Sequence, residues 1–254
     1  MCYSNSNWQK CDTNAECGSN LCSANVCQAP PVDCSNASHV CGNSCTYNDD
    51  TYSTVQIWTQ CWFAENLRTI KYPNGTAITK WPTANNAAGW SDSTTAYYSC
   101  PPNISNNWED CAAAWGTAKL GMLYQWKTLM NGSSGIASGN WPQWICPSGW
   151  QIPTNDGTAS SGLGKLISHA YTTCGASNEG ACLKIWGATG FNVLLSGYRW
   201  NTWAYGWRSA SSYIFSSSSV FGWNARYQSF SASNLSFYDY YEVTKAFSVR
   251  CLKN

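Results

Sequence analysis

Apolar and polar positions change spacing several times along this chain of 254 residues. Alternation at 52–58 predicts a β-strand, and apolar positions three and four apart predict a helix over 161–171. Shorter helices are predicted over 112–118 and 124–130, whereas 73–108 has no clear period and is predicted to be ordered loop. Strand patterns separated by Ser, Asn and Gly follow at 191–199, 213–217, 223–230, 235–241 and 247–252. This order predicts an α+β domain with short antiparallel strands, two or three helices and much irregular structure.

Cysteine is concentrated at the amino-terminal end. Eight of the 15 cysteines fall in the first 45 residues, namely Cys2, Cys11, Cys17, Cys22, Cys27, Cys34, Cys41 and Cys45. The residues between them carry too little apolar surface for a core, so disulfides, each contributing about 2–4 kcal/mol, must supply the order. We predict a small disulfide-rich segment at 1–45, either a stalk or an independent binding module, followed by a ligand-binding domain at 46–254.

The cysteine count also indicates the compartment. Disulfides persist in oxidising compartments, whereas metal binding needs paired Cys or Cys/His spacings. The chain has no CxxC pair, and its only histidines are His39 and His169. Disulfides and an extracellular or cell-surface location are therefore predicted. The acidic pairs at 49–50 and 109–110 lack the regular spacing of a calcium loop, so neither a metal nor a cofactor is predicted.

Charge and hydropathy argue against nucleic-acid binding and against a membrane-spanning segment. Charged residues make up 11% of the chain, the net charge is +1 and no basic patch is present, which argues against nucleic-acid binding. No apolar stretch approaches the roughly 18–20 residues that a membrane span requires, so no transmembrane segment is predicted in this chain. A protein or glycan ligand, on another surface or free, remains as the partner.

Residues 196–241 have the composition of an antibody combining site. Of these 46 positions, 15 are Tyr, Trp or Phe, 12 are Ser and only four carry charge. Tyr and Trp offer large contact area with few rotatable bonds, and Ser, Asn and Gly adapt their hydrogen bonds around them. A core would contain more Leu, Ile and Val, and an enzyme site more titratable groups. The segment is therefore predicted to form a ligand-binding surface.

The predicted ligand-binding residues fall into two groups. The first is a Trp-rich loop with Trp200, Trp203, Tyr205, Trp207 and Arg208. The second contains Phe221, Trp223, Arg226, Tyr227, Gln228, Ser231, Asn234, Tyr238, Asp239 and Tyr240. Arg208 and Arg226 are expected to donate directed hydrogen bonds to a partner. Two alternatives stay open: the Trp-rich loop packs on the domain body, or a one-residue slip in strand register exchanges the faces of the second group.

Several separated blocks resemble one family. They are TVQI at 54–57, QCWFAENL at 60–67, GMLYQW at 121–126, CPSGWQIPT at 146–154, Phe191, LL at 194–195, GYR at 197–199, SSS at 216–218 and FSVRC at 247–251. In this order they resemble the Fibrobacter-type major paralogous domain, over roughly residues 50–254. Residues 73–118 and 200–212 are longer than usual, and Phe215 and Ala246 stand where the family tends to have Trp and Gly.

The resemblance implies a C-type-lectin-like fold. In such a fold the first strand, at 52–58, pairs with the last, at 247–252. The family blocks imply a disulfide between Cys146 and Cys251, and Cys61 is then an odd thiol or pairs with the amino-terminal cluster. Short spacings suggest two further bridges, Cys100 with Cys111 and Cys174 with Cys182.

The family blocks also assign expectations to single residues. Glu65, in the AENL block, is expected to hold backbone groups rather than to act as a catalytic carboxylate, whereas His169, on the predicted helix and outside the blocks, is expected to be a surface or capping residue. In the second group, the residues expected by family register to be more exposed are Arg226, Tyr227, Gln228, Ser231, Asn234, Tyr238, Asp239 and Tyr240. The residues expected to lie inside are Trp62, Trp150, Ala225, Phe230 and Phe237.

Domains of this kind also serve as variable proteins of diversity-generating retroelements, in which adenine-directed mutagenesis rewrites codons near the carboxy terminus. Asn codons that begin with two adenines can become Tyr, Ser, Phe, Asp or Gly codons, all of which occur in 196–241, with Ser and Tyr the most frequent. The resemblance thus implies a non-enzymatic binding protein with a variable region at about 196–245. The alternatives are a fixed-specificity glycan-binding lectin or adhesin, a self-associating surface protein, and an enzyme related to the formylglycine-generating group, which requires a reactive cysteine pair.

Overall fold

A computed structural model describes most of the chain. The described residues are 13, 22–23, 26–27, 31–81, 96–105, 108–117, 119–130, 145–200, 204–220, 224–231, 235–236, 241–242 and 245–254. The helices in these ranges are α1 (Cys111–Trp115), α2 (Trp126–Met130), α3 (Gly162–Cys174) and α4 (Glu179–Leu183). Strands are more numerous and mostly two to four residues long.

The strands of the amino-terminal half are β1 (Cys22–Ser23), β2 (Val26–Cys27), β3 (Val32–Asp33), β4 (Cys45–Tyr47), β5 (Asp50–Tyr52), β6 (Thr54–Ile57), β7 (Gln60–Phe63), β8 (Thr79–Lys80), β9 (Tyr97–Ser99) and β10 (Leu123–Gln125). Those of the carboxy-terminal half are β11 (Trp150–Gln151), β12 (Tyr198–Arg199), β13 (Tyr205–Gly206), β14 (Ser211–Val220), β15 (Asn224–Ser231), β16 (Leu235–Ser236), β17 (Tyr241–Glu242), β18 (Ala246–Phe247) and β19 (Leu252–Lys253).

These strands form several small sheets rather than one large one. Their orders are β1-β2, β3-β4-β5, β11-β19-β7-β6, β13-β12-β18-β10-β9-β8, and β14-β15-β16 with β17 also on β15. The named strands pair antiparallel except β3 with β4 and β8 with β9. The result is a set of mixed sheets with few helices, as the α+β prediction requires.

The two ends of the family region meet, but not through the strands that were expected. The last strand, β19, pairs with β7 at Leu252 and Trp62, and β6 lies on the far side of β7. The prediction that 52–58 contacts the last strand directly was therefore wrong. All four residues of β7 are buried, whereas in β6 Thr54 and Ile57 are buried, Val55 is half-buried and Gln56 is exposed. Burial on both faces favours β7 as the inner strand and β6 as the edge.

The predicted helix at 161–171 is present as α3, which continues to Cys174. The Ser161 hydroxyl accepts a hydrogen bond from the Gly164 amide and caps its first turn, and Leu163, Leu166 and Ala170 face the core. The predicted helix at 112–118 is α1, which ends at Trp115.

Two other segments differ from the sequence prediction. Residues 124–125 belong to β10 and not to a helix, because Tyr124 pairs with both Tyr98 and Phe247. The segment 73–108, predicted to be loop, contains β8 and β9. These strands carry no readable alternation because each has only two or three residues, and pairing in the six-stranded sheet determines them.

The described residues form three apolar core clusters, of which two are large. The larger contains Phe63, Trp150 and Phe247, and the smaller contains Trp62, Phe191 and the apolar face of α3. Trp62 and Trp150 are both completely buried, so their assignment to the core is confirmed.

Five disulfides have both cysteines within the described ranges. They are Cys34–Cys45, Cys41–Cys61, Cys100–Cys111, Cys146–Cys251 and Cys174–Cys182. The three pairs expected from the sequence are thus present. Of the two alternatives for Cys61, the structure has the bond to the amino-terminal cluster.

Residues 31–45 are part of the packed body. Cys34 and Cys45 lie in the larger core cluster, and the Trp150 indole Nε1 donates to the Cys34 carbonyl at 2.8 Å. A domain boundary between 45 and 46 would also cut β4. The sequence did not predict this packing because the segment has few apolar residues. Its contacts with the body are made by buried cysteines and by the hydrogen bond from Trp150. Within the described residues, no helix has the length and apolarity needed to cross a membrane.

Candidate functional site

The Trp-rich loop is held at the edge of the six-stranded sheet. It connects β12 to β13, which pair Tyr198 with Gly206 and Arg199 with Tyr205. Gly197, at φ +71°, allows a close approach at the base of the loop. A Cβ there would lie 2.5 Å from the Gly206 carbonyl oxygen. Only glycine fits this backbone and this space, so the two ends of the loop approach each other closely at Gly197 and Gly206.

A second loop lies against the first. We call residues 100–111 the clipped loop, because the Cys100–Cys111 disulfide closes it. Arg208 donates from Nη1 to the Asp110 carboxylate at 2.7 Å and to the Pro102 carbonyl at 3.0 Å. Asp110 also caps α1 by accepting the Ala113 amide. The hydrogen bond from Arg208 lowers the pKa of Asp110, so the ion pair persists to acidic pH.

Glu109 makes a more deeply buried contact between the same loops. Its Oε1 accepts from the Tyr205 hydroxyl at 2.8 Å and from the Ser99 hydroxyl at 2.9 Å. Arg199 Nη1 lies 3.7 Å from Oε1 and Lys80 Nζ lies 3.0 Å from Oε2. Burial raises the pKa of Tyr205 and lowers that of Arg199. The base of the Trp-rich loop is therefore a connected polar cluster.

Apolar side chains face solvent on both loops. Trp207 is 59% exposed, and Trp108 and Ile104 of the clipped loop are 72% and 76% exposed. Trp207 also has φ +65°, an uncommon backbone conformation for a bulky residue. Trp200 is half-buried. Trp200 thus fits the alternative in which the Trp-rich loop packs on the domain body, whereas Trp207 fits an exposed binding surface.

The β14–β15 hairpin lies between the two core clusters. Phe215 and Tyr227 face the larger cluster, and Ile214 and Phe230 face the smaller one. Both faces are covered, and the pairing shifts register between Phe215 and Ser219. This explains why the hydrophobic alternation was imperfect.

The expected exposure of two residues on this hairpin was therefore wrong. Tyr227 is 1% exposed and Gln228 is completely buried. The expected burial of Ala225 and Phe230 is confirmed, since both are fully buried. Arg226 is half-buried.

Of the remaining predicted ligand-binding residues, the structure describes only Ser231. Ser231 is half-buried and pairs with Ser211 at the end of the hairpin. The predicted site residues outside the described ranges are Trp203, Phe221, Trp223, Asn234, Tyr238, Asp239 and Tyr240, together with the inward prediction for Phe237.

The two arginines expected to contact a partner are engaged within the chain. Arg208 holds the clipped loop, and Arg226 Nη1 lies 3.4 Å from the Asn155 carbonyl. The described site thus presents apolar rings to solvent, while these guanidinium groups support the backbone around them.

The carboxylates considered as metal ligands have basic partners. Asp49 pairs with Lys71 and Asp50 with Arg68, as Glu109 and Asp110 do with the cations named above. Among the described residues, Cys100, Glu109 and Cys111 are close enough to share an ion. Both sulfurs are in a disulfide, so they cannot act as thiolate ligands.

Glu65 and His169 occupy supporting positions. Glu65 accepts the Ser53 amide at 3.1 Å and Arg68 Nη1 at 2.5 Å. Burial alone would raise the pKa of Glu65, but these donors and the charges of Arg68 and Lys119 lower it. His169 is half-buried on α3, with Nε2 3.4 Å from the Thr173 hydroxyl.

A buried polar network connects the blocks around this site. Arg250 is fully buried and donates to Asn66 Oδ1 and to the carbonyls of Phe191 and Asn192. The Asn66 side chain also donates to the Leu120 carbonyl at 2.8 Å. Burial lowers the pKa of Arg250 to about 9. The Arg250 guanidinium therefore connects segments that are far apart in sequence, at residues 66 and 191–192.

The segments joined by this network lie within the span that a family model recognises. The model of the Fibrobacter succinogenes major domain matches residues 55–253. The chain belongs to this family. No curated protein and no solved structure gives a significant match. In this member of the Fibrobacter succinogenes major domain family, the matched region holds the Trp-rich loop, the clipped loop and the hairpin.

Sequence reasoning missed the residues that hold the site. Glu109, Asp110 and Lys245 all contact the Trp-rich loop or its neighbours, and none was predicted as part of the site. One signal was available, because Cys100 and Cys111 bracket the acidic pair and residues 73–118 and 200–212 are both longer than usual. Two long segments of one domain, such as these, can be expected to contact each other.

Proposed function

We propose that this member of the Fibrobacter succinogenes major domain family is a non-enzymatic extracellular or cell-surface binding protein with a C-type-lectin-like fold. In this proposal the chain is the variable protein of a diversity-generating retroelement. It binds a protein or glycan partner through the aromatic residues of the Trp-rich loop and the segment that follows. The disulfide-connected scaffold keeps its shape while that surface changes.

The observation that carries the proposal is the exposure of Trp207. An indole that is 59% exposed gives up the burial that normally stabilises Trp in a folded protein. Its loop is nevertheless fixed by Arg208 and by the buried Glu109 cluster. An exposed aromatic ring next to residues that are held by such contacts has the character of an interface anchor.

The disulfides support the extracellular part of the proposal, since such bonds persist in oxidising compartments. They also weigh against the formylglycine-generating alternative, because Cys61, the thiol considered for that chemistry, is bonded to Cys41. A fixed-specificity lectin or adhesin is the second candidate. It shares the exposed ring but needs no variation.

The test has a genetic and a binding part. The DNA flanking the gene is searched for a near-copy of codons 196–254 that differs at adenines, beside a reverse-transcriptase gene. A copy is expected, and its absence would leave the fixed-specificity lectin. In parallel, partners captured on protein and glycan arrays are tested against Trp207→Ala, with the exposed Trp186→Ala as the matched control. Trp186 is 97% exposed, so equal binding loss in both variants would contradict the proposal.

A further inference from the structure

The clipped loop is a covalently closed hairpin. The Asn103 amide donates to the Trp108 carbonyl at 2.7 Å. Pro102 pairs with Glu109 in an antiparallel bridge, and the Cys100–Cys111 disulfide joins the two ends of the loop. The described backbone of the hairpin is therefore held in register, so little conformational entropy remains to be lost when this loop binds a partner.

Two apolar side chains lie next to each other near the tip of this hairpin. Ile104 directly follows Asn103, and Asn103 is hydrogen-bonded to Trp108, so Ile104 and Trp108 are neighbours across the turn. They are 76% and 72% exposed. A Trp side chain offers up to about 250 Å², so Trp108 alone presents roughly 180 Å² to solvent. We call Ile104 and Trp108 the tip patch.

The charges of the clipped loop are compensated within the chain. Its two charged residues are Glu109 and Asp110. Asp110 pairs with Arg208, and Glu109 pairs with Lys80 and Arg199. A two-fold interface places each group opposite its own copy, which causes like-charge repulsion unless the charges are balanced. The balance found here permits this loop to face itself.

The clipped loop lies outside the segment at 196–245 that the proposed function expects to vary. A surface that stays the same while the neighbouring ligand surface changes requires a partner that also stays the same. Such a partner is present wherever this protein is displayed, because each copy of the chain is surrounded by other copies.

We propose that the tip patch is a two-fold contact between two copies of this chain. Ile104 and Trp108 of one copy pack against the same residues of the other. This inference rests on the proposed function, because a constant partner is required only if the neighbouring surface varies. It adds a second copy of the chain as a partner and makes the receptor bivalent, so that two binding surfaces engage one target with avidity.

The small area of the tip patch determines the strength of the contact. A standard interface buries about 800 Å² on each partner, and the tip patch with its polar surroundings covers less. The dimer is therefore weak in solution. It forms more completely where the chain is concentrated at a surface, since the effective concentration of tethered partners reaches the millimolar range.

The experiment is sedimentation velocity of the full chain, with its disulfides oxidised, from about 10 µM to about 1 mM. The expected result is a monomer at the lower end and a monomer–dimer equilibrium with a Kd of roughly 0.1–1 mM at the upper end. Raising the salt from about 50 to about 500 mM should leave the Kd within about twofold, because the contact is apolar and its charges are compensated.

Four variants locate the contact. Trp108→Ala and Ile104→Ser should each weaken the dimer at least about tenfold, as expected for central residues of a small interface. Trp58→Ala is the matched control, because Trp58 lies in the turn between β6 and β7 and is 62% exposed. It should leave the Kd unchanged, and so should Trp207→Ala. All four side chains are largely exposed, so melting curves should stay within a few degrees of the native chain.

A chain that stays monomeric to about 1 mM, or a dimer that Trp58→Ala weakens as much as Trp108→Ala, would overturn the two-fold contact. Oligomers that grow beyond the dimer would also overturn it, because a two-fold contact closes. Phosphatidylcholine vesicles test the other use of exposed apolar side chains. Binding to them through Trp108, without self-association, would make the tip patch a lipid anchor and remove the dimer.

Failure of this contact is distinguishable from failure of the proposed function. A partner whose binding depends on Trp207, together with a monomeric chain, would keep the function and remove only the dimer. A dimer that depends on Trp108, with no partner that depends on Trp207, would keep the contact and remove the binding function.

Discussion

Replacing Arg208 tests whether the clipped loop and the Trp-rich loop stabilise each other. Arg208 Nη1 reaches both the Asp110 carboxylate, at 2.7 Å, and the Pro102 carbonyl, at 3.0 Å. The partner substitution is Asp110→Asn. It removes the charge but keeps a side chain that caps α1 about equally well, so a change in stability reports on the ion pair and not on the helix.

The expected magnitude follows from the exposure of the two side chains. They are 15% and 31% exposed, so solvent screens the pair only partly, and its coupling should lie near the top of the range of about 0.2–1 kcal/mol for surface ion pairs. The hydrogen bond to the Pro102 carbonyl adds about 1 kcal/mol. Arg208→Ala should thus lower the free energy of unfolding by about 2 kcal/mol, and Asp110→Asn by about 0.5–1 kcal/mol.

Urea denaturation of the native chain, both single variants and the double variant, followed by Trp fluorescence, gives the coupling energy. The folded-state pKa of Asp110 is lowered, so its stabilising contribution is complete above the ordinary aspartate pKa. It is lost as the pH falls through the lowered value. The coupling should therefore be present at about pH 7 and smaller at about pH 3.

A coupling energy indistinguishable from zero at neutral pH would refute this reasoning. So would a coupling that grows on acidification, because protonated Asp110 cannot pair with the guanidinium. Disulfides stay oxidised throughout, so that loop closure by Cys100–Cys111 is the same in every variant.

Other substitutions separate core from surface and test buried charges. Tyr227→Ala should lower the free energy of unfolding by roughly 3–5 kcal/mol because its buried ring packs on Phe247. Trp207→Ala should change that free energy by less than about 0.5 kcal/mol, because the ring is largely exposed. Urea denaturation measures both variants, and equal effects would contradict the difference in burial. Arg250→Lys should lower the free energy of unfolding by about 2–3 kcal/mol, since a compact ammonium cannot reach three acceptors that are spread around the plane of the guanidinium; an unchanged midpoint would contradict this. The folded-state pKa of Glu65 is lowered, so its contribution is lost as the pH falls through that value, and Glu65→Gln should flatten the acid limb of a stability–pH curve.

Much of the fold was predictable where a pattern extends over a full element. The spacing of apolar residues in α3 identified the helix, and the family blocks placed Trp62 and Trp150 in the core. Strands of two or three residues were not predictable, because they contain too few positions to show alternation. Pairing partners far away in sequence determine them, as for β8 and β9.

The candidate site was predictable in composition but not in geometry. An abundance of aromatic residues indicates a contact surface, yet it does not separate Trp207, which is exposed, from Tyr227, which is buried. Burial on both faces of the hairpin removes the usual distinction between its inward and outward positions. The residues that support the loop, Glu109 and Asp110, come from elsewhere in the chain, so the composition of 196–241 does not indicate them.

The bond between Cys41 and Cys61 has a mechanical consequence. Tension applied to the chain ahead of residue 41 reaches β7 through covalent bonds, because Cys61 lies in that strand. The same strand pairs with β19, which follows the Cys146–Cys251 bridge. Because Cys34 is buried in the core and bonded to Cys45, the chain between these two cysteines cannot be drawn out to its full length, and a load applied ahead of residue 34 passes through covalent bonds to the inner strand of the sheet.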